Sequence, residues 1–126
     1  MNHQETFDFV VAHCAKQRQR SYIKGEGCRV RDDRGRSCAI GCLIPNKKYD
    51  RSLESFSELT RRSIELGLNP KFWKNDSIQT FGFYDALRSA HDYSKNTLQI
   101  QDKFYDIAKK YNLNSEAVEM ITSWVM

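Results

Sequence analysis

No stretch of this 126-residue chain approaches the roughly 18–20 consecutive apolar residues of a membrane-spanning helix, which excludes a helical membrane protein. Met1–Phe9 lacks the basic start and apolar run of a secretory leader, so a cytoplasmic, reducing location is expected. The chain also lacks internal repeats, low-complexity runs and an evident linker, so nothing divides it. Its length matches one domain of the usual size, about 100–150 residues. Cysteine is sparse: Cys14, Cys28, Cys38 and Cys42 only. In a reducing compartment these are free thiols, buried thiols or metal ligands and not disulfides. Hydrophobic residues at 40%, charged residues at 29% and aromatics at 12% describe an ordinary globular chain with one modest core, not a disordered tail or a fibre.

What is present is uneven charge. The net charge is +4, yet Lys16 to Arg36 alone holds eight basic residues against Glu26, Asp32 and Asp33, so the rest of the chain is slightly acidic. Such a patch steers anionic surfaces toward it, and it also serves as a solvated face.

Hydrophobic spacing gives the elements. Asn2 and Glu5 form a capping box, and Phe7, Val10, Val11 and Cys14 fall on one helical stripe. His13, Lys16, Gln17 and Arg20 lie off that stripe, and Gly25 and Gly27 close the region. Alternation then predicts a hairpin: a strand from Cys28 to Asp32, a loop at Asp33–Gly35, and a return strand from Ser37 to Ile44 that stops at Pro45. In that register facing residue numbers sum to 68. Cys28, Val30, Cys38, Ile40, Cys42 and Ile44 share one face, with Arg29 and Arg31 on the other. Helices are expected from Ser55 to Gly67, Phe81 to Ser94, Thr97 to Tyr111 and from Asn114 onward, with Val118, Ile121 and Val125 inward. The fold class is α+β: a single small domain, residues 1–126, with an antiparallel hairpin of two or three strands packed against four or five helices.

Three constellations bear on chemistry. Cys28, Cys38 and Cys42 are spaced C-x9-C-x3-C, whereas structural zinc prefers four ligands in two close pairs. Strand residues four apart, such as Cys38 and Cys42, lie about 13 Å apart, so zinc would require a break at Gly41 and a further ligand from His13 or Cys14. No cofactor is therefore expected, with zinc as the alternative. Cys42 with His91 as base and Asp92 as orienting carboxylate would make a nucleophilic site, though no local signature surrounds the cysteine. His91-Asp92 is also the dipeptide of HD-type phosphohydrolases, which need a further histidine and aspartate; His13 and Asp102 or Asp106 are the candidates. The basic segment has only Tyr22 as aromatic company, fewer than a single-strand binder interleaves. Phe72-Trp73 and Trp124-Val125-Met126 would either seal the core or anchor a partner.

The run from Cys28 to Asp50 carries a resemblance. Cys28, Gly35, Cys38-Ala39-Ile40-Gly41, Leu43-Ile44-Pro45 and Tyr49 are similar to the pattern of a family of small, uncharacterised phage and prophage proteins. His13 with Gln17 and His91-Asp92 also resemble that pattern, while the acidic-glycine pair after the tyrosine is Glu54-Ser55 here. The resemblance implies no catalytic residues. It implies a setting: an accessory protein expressed inside a bacterial host.

The expected function is a non-enzymatic binding module, an inhibitor of a host defence protein of the anti-CRISPR type. It would dock through Arg18, Arg20, Lys24, Arg29, Arg31, Arg34 and Arg36 onto a host protein or a protein–nucleic-acid complex, with the loop Asp32–Arg36 as a probe. A Cys/His-dependent or metal-dependent small hydrolase and a direct nucleic-acid binder are the alternatives, and no membrane partner is expected.

Overall fold

The computed structural model describes residues 1–74 and 82–126. Helix α1 (His3–Gln17) starts as its sequence dictates: Asn2 Oδ1 accepts the Glu5 N–H at 2.8 Å, and Glu5 Oε1 accepts the Asn2 N–H at 3.0 Å. It ends at Arg18, whose φ of 69° is left-handed and whose N–H reaches the Cys14 carbonyl. Phe7, Val10, Val11 and Cys14 are fully buried, each large side chain contributing about 1.5–3 kcal/mol of burial.

The α+β class is what the chain forms: four α-helices with one two-stranded antiparallel hairpin among the described residues. The hairpin lies earlier than expected. Strand β1 (Tyr22–Ile23) pairs with β2 (Gly27–Cys28), around a turn in which Gly25 and Gly27 take positive φ. The expected pairing of residues 28–32 with 37–44 survives only at its start. Arg31 bridges Ser37, the Cys38 N–H reaches the Val30 carbonyl, and the Asp32 N–H reaches that of Arg36, each in the expected register. Beyond Cys38 the strand does not form. The Cys42 N–H bonds the Cys38 carbonyl, and Gly41–Leu43 is a 3₁₀ turn. Ala39, Ile40 and Gly41 are buried in succession, so the segment has no solvent face for an alternating strand to present.

The remaining helices pack over this unit. The expected helix from Ser55 to Gly67 is shorter, α2 (Phe56–Arg61) followed by turns, and Ser55 Oγ meets Ser57 Oγ instead of capping. Helix α3 is Phe83–Tyr93; its expected start at Phe81 lies outside the described residues. Helix α4 (Thr97–Lys110) is capped by Asn96 and buries Ile100, Phe104, Ile107 and Ala108. The last expected helix is a 3₁₀ turn, Glu116–Met120. Val118 and Ile121 are buried, but Val125 is half exposed because its backbone bridges Gln19 and Asn96. Trp124 is buried and donates to the Ser94 carbonyl, and Phe72 stacks on His3 at 4.2 Å, so both seal the core. Among the described residues no helix is long and apolar enough to cross a membrane.

Candidate functional site

Opposite its buried stripe, α1 presents Phe9, Ala12, His13 and Lys16, a second stripe at helical spacing. These residues form one wall of a cleft of about 650 Å³. The loop Asp32–Ser37 forms the facing wall, and Cys42, Ile44 and Asn46 line its base. A second cavity of about 500 Å³ adjoins it, lined by Gln17, Gln19 and Arg34. His13, Lys16, Gly35 and Arg36 line both.

Asp32 holds the facing wall in place. Its Oδ1 accepts the N–H groups of Arg34 and Arg36 at 2.9 Å, and its Oδ2 accepts the Tyr22 N–H and, at 2.6 Å, the Arg36 Nε–H. Burial alone would raise this carboxyl, but the bonds from Arg36, Arg34 and Tyr22 outweigh it and hold its pKa below the usual value. Glu54 does the same for the segment behind: it accepts the backbone N–H groups of Val30 and Arg31 and the Tyr49 hydroxyl, and Arg29 Nε lies 3.0 Å from it.

The basic residues singled out from sequence therefore divide. Arg29 is 13% exposed, between Glu26 and Glu54. Arg31 is turned inward, donating to Asn46 Oδ1 at 2.6 Å and to the Ile44 carbonyl, with its guanidinium 5.0 Å from the Tyr49 ring centre. Arg20 lies over the Tyr22 ring at 4.0 Å, and Arg36 is tied to Asp32. Arg18, Lys24 and Arg34 are exposed, as is Lys16, and no ion pair engages them among the described residues. Pairing with backbone carbonyls and with a carboxylate 25 residues away is invisible to a count of charges along the chain.

The thiol and histidine candidates each have other partners. His91 is fully buried; its Nδ1 lies 2.6 Å from Asp92 Oδ1, and its Nε2 accepts the Ser21 N–H at 3.2 Å. Both ring nitrogens are spent, which leaves no base for Cys42. Cys42 shares the cleft with His13 instead, but His13 Nε2 is bonded to the Ser37 carbonyl at 2.8 Å and the Cys42 thiol to that of Ala39. Burial pushes the Cys42 thiol well up, and raises Cys38 to about 12 with the Asp92 charge adding to it. Burial also lowers His13. Cys28 is half-buried and turned to the Asp92 carbonyl, 3.7 Å away. Among the described residues no group of three or more His, Cys, Asp or Glu side chains is placed to hold a metal ion. The strand break that zinc would have required does occur, but it brings Cys38 into a turn where its sulfur accepts the Gly41 N–H.

The sequence reading missed Phe9 and Gln17 as lining residues and Asp32 and Glu54 as organising carboxylates. The second α1 stripe was the available signal. Comparison of the chain with family models, with curated proteins and with solved structures finds no match.

Proposed function

We propose that this chain is a non-enzymatic accessory binding protein that docks an acidic surface of a host protein, as an inhibitor of the anti-CRISPR type would. One observation carries the docking face: Lys16, Arg18 and Arg34 are exposed cations with no ionic partner among the described residues, and Lys16 and Arg34 open onto one cavity. Long-range attraction to an acidic partner needs charge that is not already neutralised. The raised Cys42 thiol and the fully bonded His91 favour binding over nucleophilic chemistry. The bacterial-host setting rests on the resemblance at Cys28–Asp50.

The test is capture from a nuclease-treated bacterial lysate, with the triple variant Arg18→Glu, Lys24→Glu, Arg34→Glu in parallel. One stoichiometric protein held by the wild-type chain, released by the variant and weakened by added salt is the expected result. An unchanged catch by a folded variant overturns the reading.

A further inference from the structure

The cleft is asymmetric in a way that a flat docking surface does not require. Phe9, 46% exposed, lines the cleft one helical turn before Ala12 and about two turns before Lys16 on α1. The end where the two cavities meet is cationic. Lys16 is exposed there with no acidic partner among the described residues. Arg36 is oriented by its Nε–H bond to Asp32, and its two terminal nitrogens make no hydrogen bond among the described residues. Such a guanidinium is a preorganised fork for a bidentate anion. The backbone N–H of Gly35 makes no hydrogen bond among the described residues. Arg34 adds a second exposed cation from the adjoining cavity. All four oxygen-directed bonds of Asp32 are taken, so its carboxylate is already satisfied within the loop.

We propose that this cleft binds a nucleoside monophosphate, with the base against Phe9 and the phosphate between Lys16, Arg34 and Arg36. Charge favours phosphate over carboxylate: two unpaired cations and an N–H fork match a phosphate monoester's charge of about −1.5 to −2, whereas a carboxylate brings one. Size agrees, since about 650 Å³ lies within the usual range of small-ligand sites. The exposed ring of Phe9 provides a stacking face for a base, the contact by which aromatic side chains hold nucleotides without reading sequence. The proposal shares Lys16 and Arg34 with the docking face, whereas Arg18 and Lys24 line neither cavity and tell the two apart.

Isothermal titration calorimetry with AMP, adenosine and inorganic phosphate tests it on the full chain. AMP is expected to bind at least about tenfold more tightly than either fragment, since both ends of the cleft contribute. Lys16→Glu and Phe9→Ser, both at exposed positions, should each weaken AMP by about tenfold or more, with unchanged melting temperature. Arg18→Glu with Lys24→Glu should leave AMP binding unchanged even where it abolishes partner capture. Absence of AMP binding to millimolar concentration, phosphate binding as tightly as AMP, or indifference of AMP to both cleft variants overturns the proposal. The wild-type comparison of the three ligands decides the matter even if a variant fails to fold.

Discussion

Arg36 and Asp32, four residues apart in the chain, form an ion pair, 2.6 Å from Nε to Oδ2, with the Asp32 side chain wholly buried. The same carboxylate collects three backbone N–H groups, so the loop wall of the cleft is built on a single residue. Replacing Asp32 with Asn removes the charge and half of the acceptor capacity. A loss of about 2–3 kcal/mol is expected in urea unfolding, as for hydrogen bonds to a charged group.

The same carboxylate sets a pH dependence. Its folded-state pKa lies below the usual value because the bonds from Arg36, Arg34 and Tyr22 outweigh the effect of burial. Its stabilisation is therefore fully present above the unfolded pKa of about 4 and is lost as pH falls through the lower folded value. Unfolding free energy measured from pH 6 down to pH 2 should fall less steeply in Asp32→Asn than in the wild type. Parallel curves would show that Asp32 does not carry this linkage.

Gly41 and Gly35 should respond oppositely to the ordering suggested by their φ angles. Gly35 has φ +80° but open space around it, so Gly35→Ala should cost about 1–2 kcal/mol of left-handed strain. Gly41 has no such angle, yet a Cβ there would lie 2.2 Å from the Val30 carbonyl oxygen. Gly41→Ala must displace backbone, and a loss of about 3 kcal/mol or more is expected from thermal or denaturant melts. Equal losses would mean the 41–43 turn can shift away from Val30.

Tyr49 reports on Glu54. Burial and the hydrogen bond to Glu54 push its phenol up to about 12. Because the folded value is raised, the contribution is present below the unfolded pKa of about 10 and disappears as pH climbs through 12. Absorbance titration near 295 nm should show Tyr49 ionising late, beside Tyr84, which burial also raises, and Glu54→Gln should bring only the Tyr49 transition earlier. That variant should also lose about 3 kcal/mol, since Val30, Arg31 and Arg29 share the same carboxylate.

The thiols should behave as core groups. Cys14 and Cys38 are buried, and burial raises all four thiols. Native protein at pH 8 should react with Ellman's reagent far more slowly than protein in guanidinium, where all four should react at once. Fast modification of Cys42 in the native state would restore it as a nucleophile candidate.

How much of this was legible in sequence differed from residue to residue. The Asn2–Glu5 capping box and the Ile100–Phe104–Ile107 stripe are local, and each formed as read. The Arg31–Ser37 register was also legible, because the Asp33–Gly35 turn fixes it. The strand after Cys38 was not. Alternating Cys38, Ile40, Cys42 and Ile44 has a period of two, but Ala39 and Gly41 are buried as well, and burial on every side erases the meaning of alternation. The candidate site was legible as charge but not as free charge. Arg29 finds Glu54 at a separation of 25 residues, and Arg31 finds the Ile44 carbonyl. His91-Asp92 stood out as a dipeptide, but its ring faces Ser21, a partner no spacing rule supplies.

The grip of Arg31 on Asn46 and the Ile44 carbonyl has an electrostatic corollary. Arg29 and Arg36 each sit against a carboxylate, so their fields largely cancel at a distance. The partners that hold the Arg31 side chain are an amide oxygen, carbonyl oxygens and the face of Tyr49, none of which carries a net charge. Dipoles can fix a cation in place without neutralising it. Arg31 is thus an immobile source of positive potential in the cleft lining, one that a ligand would feel without having to order a flexible side chain to reach it.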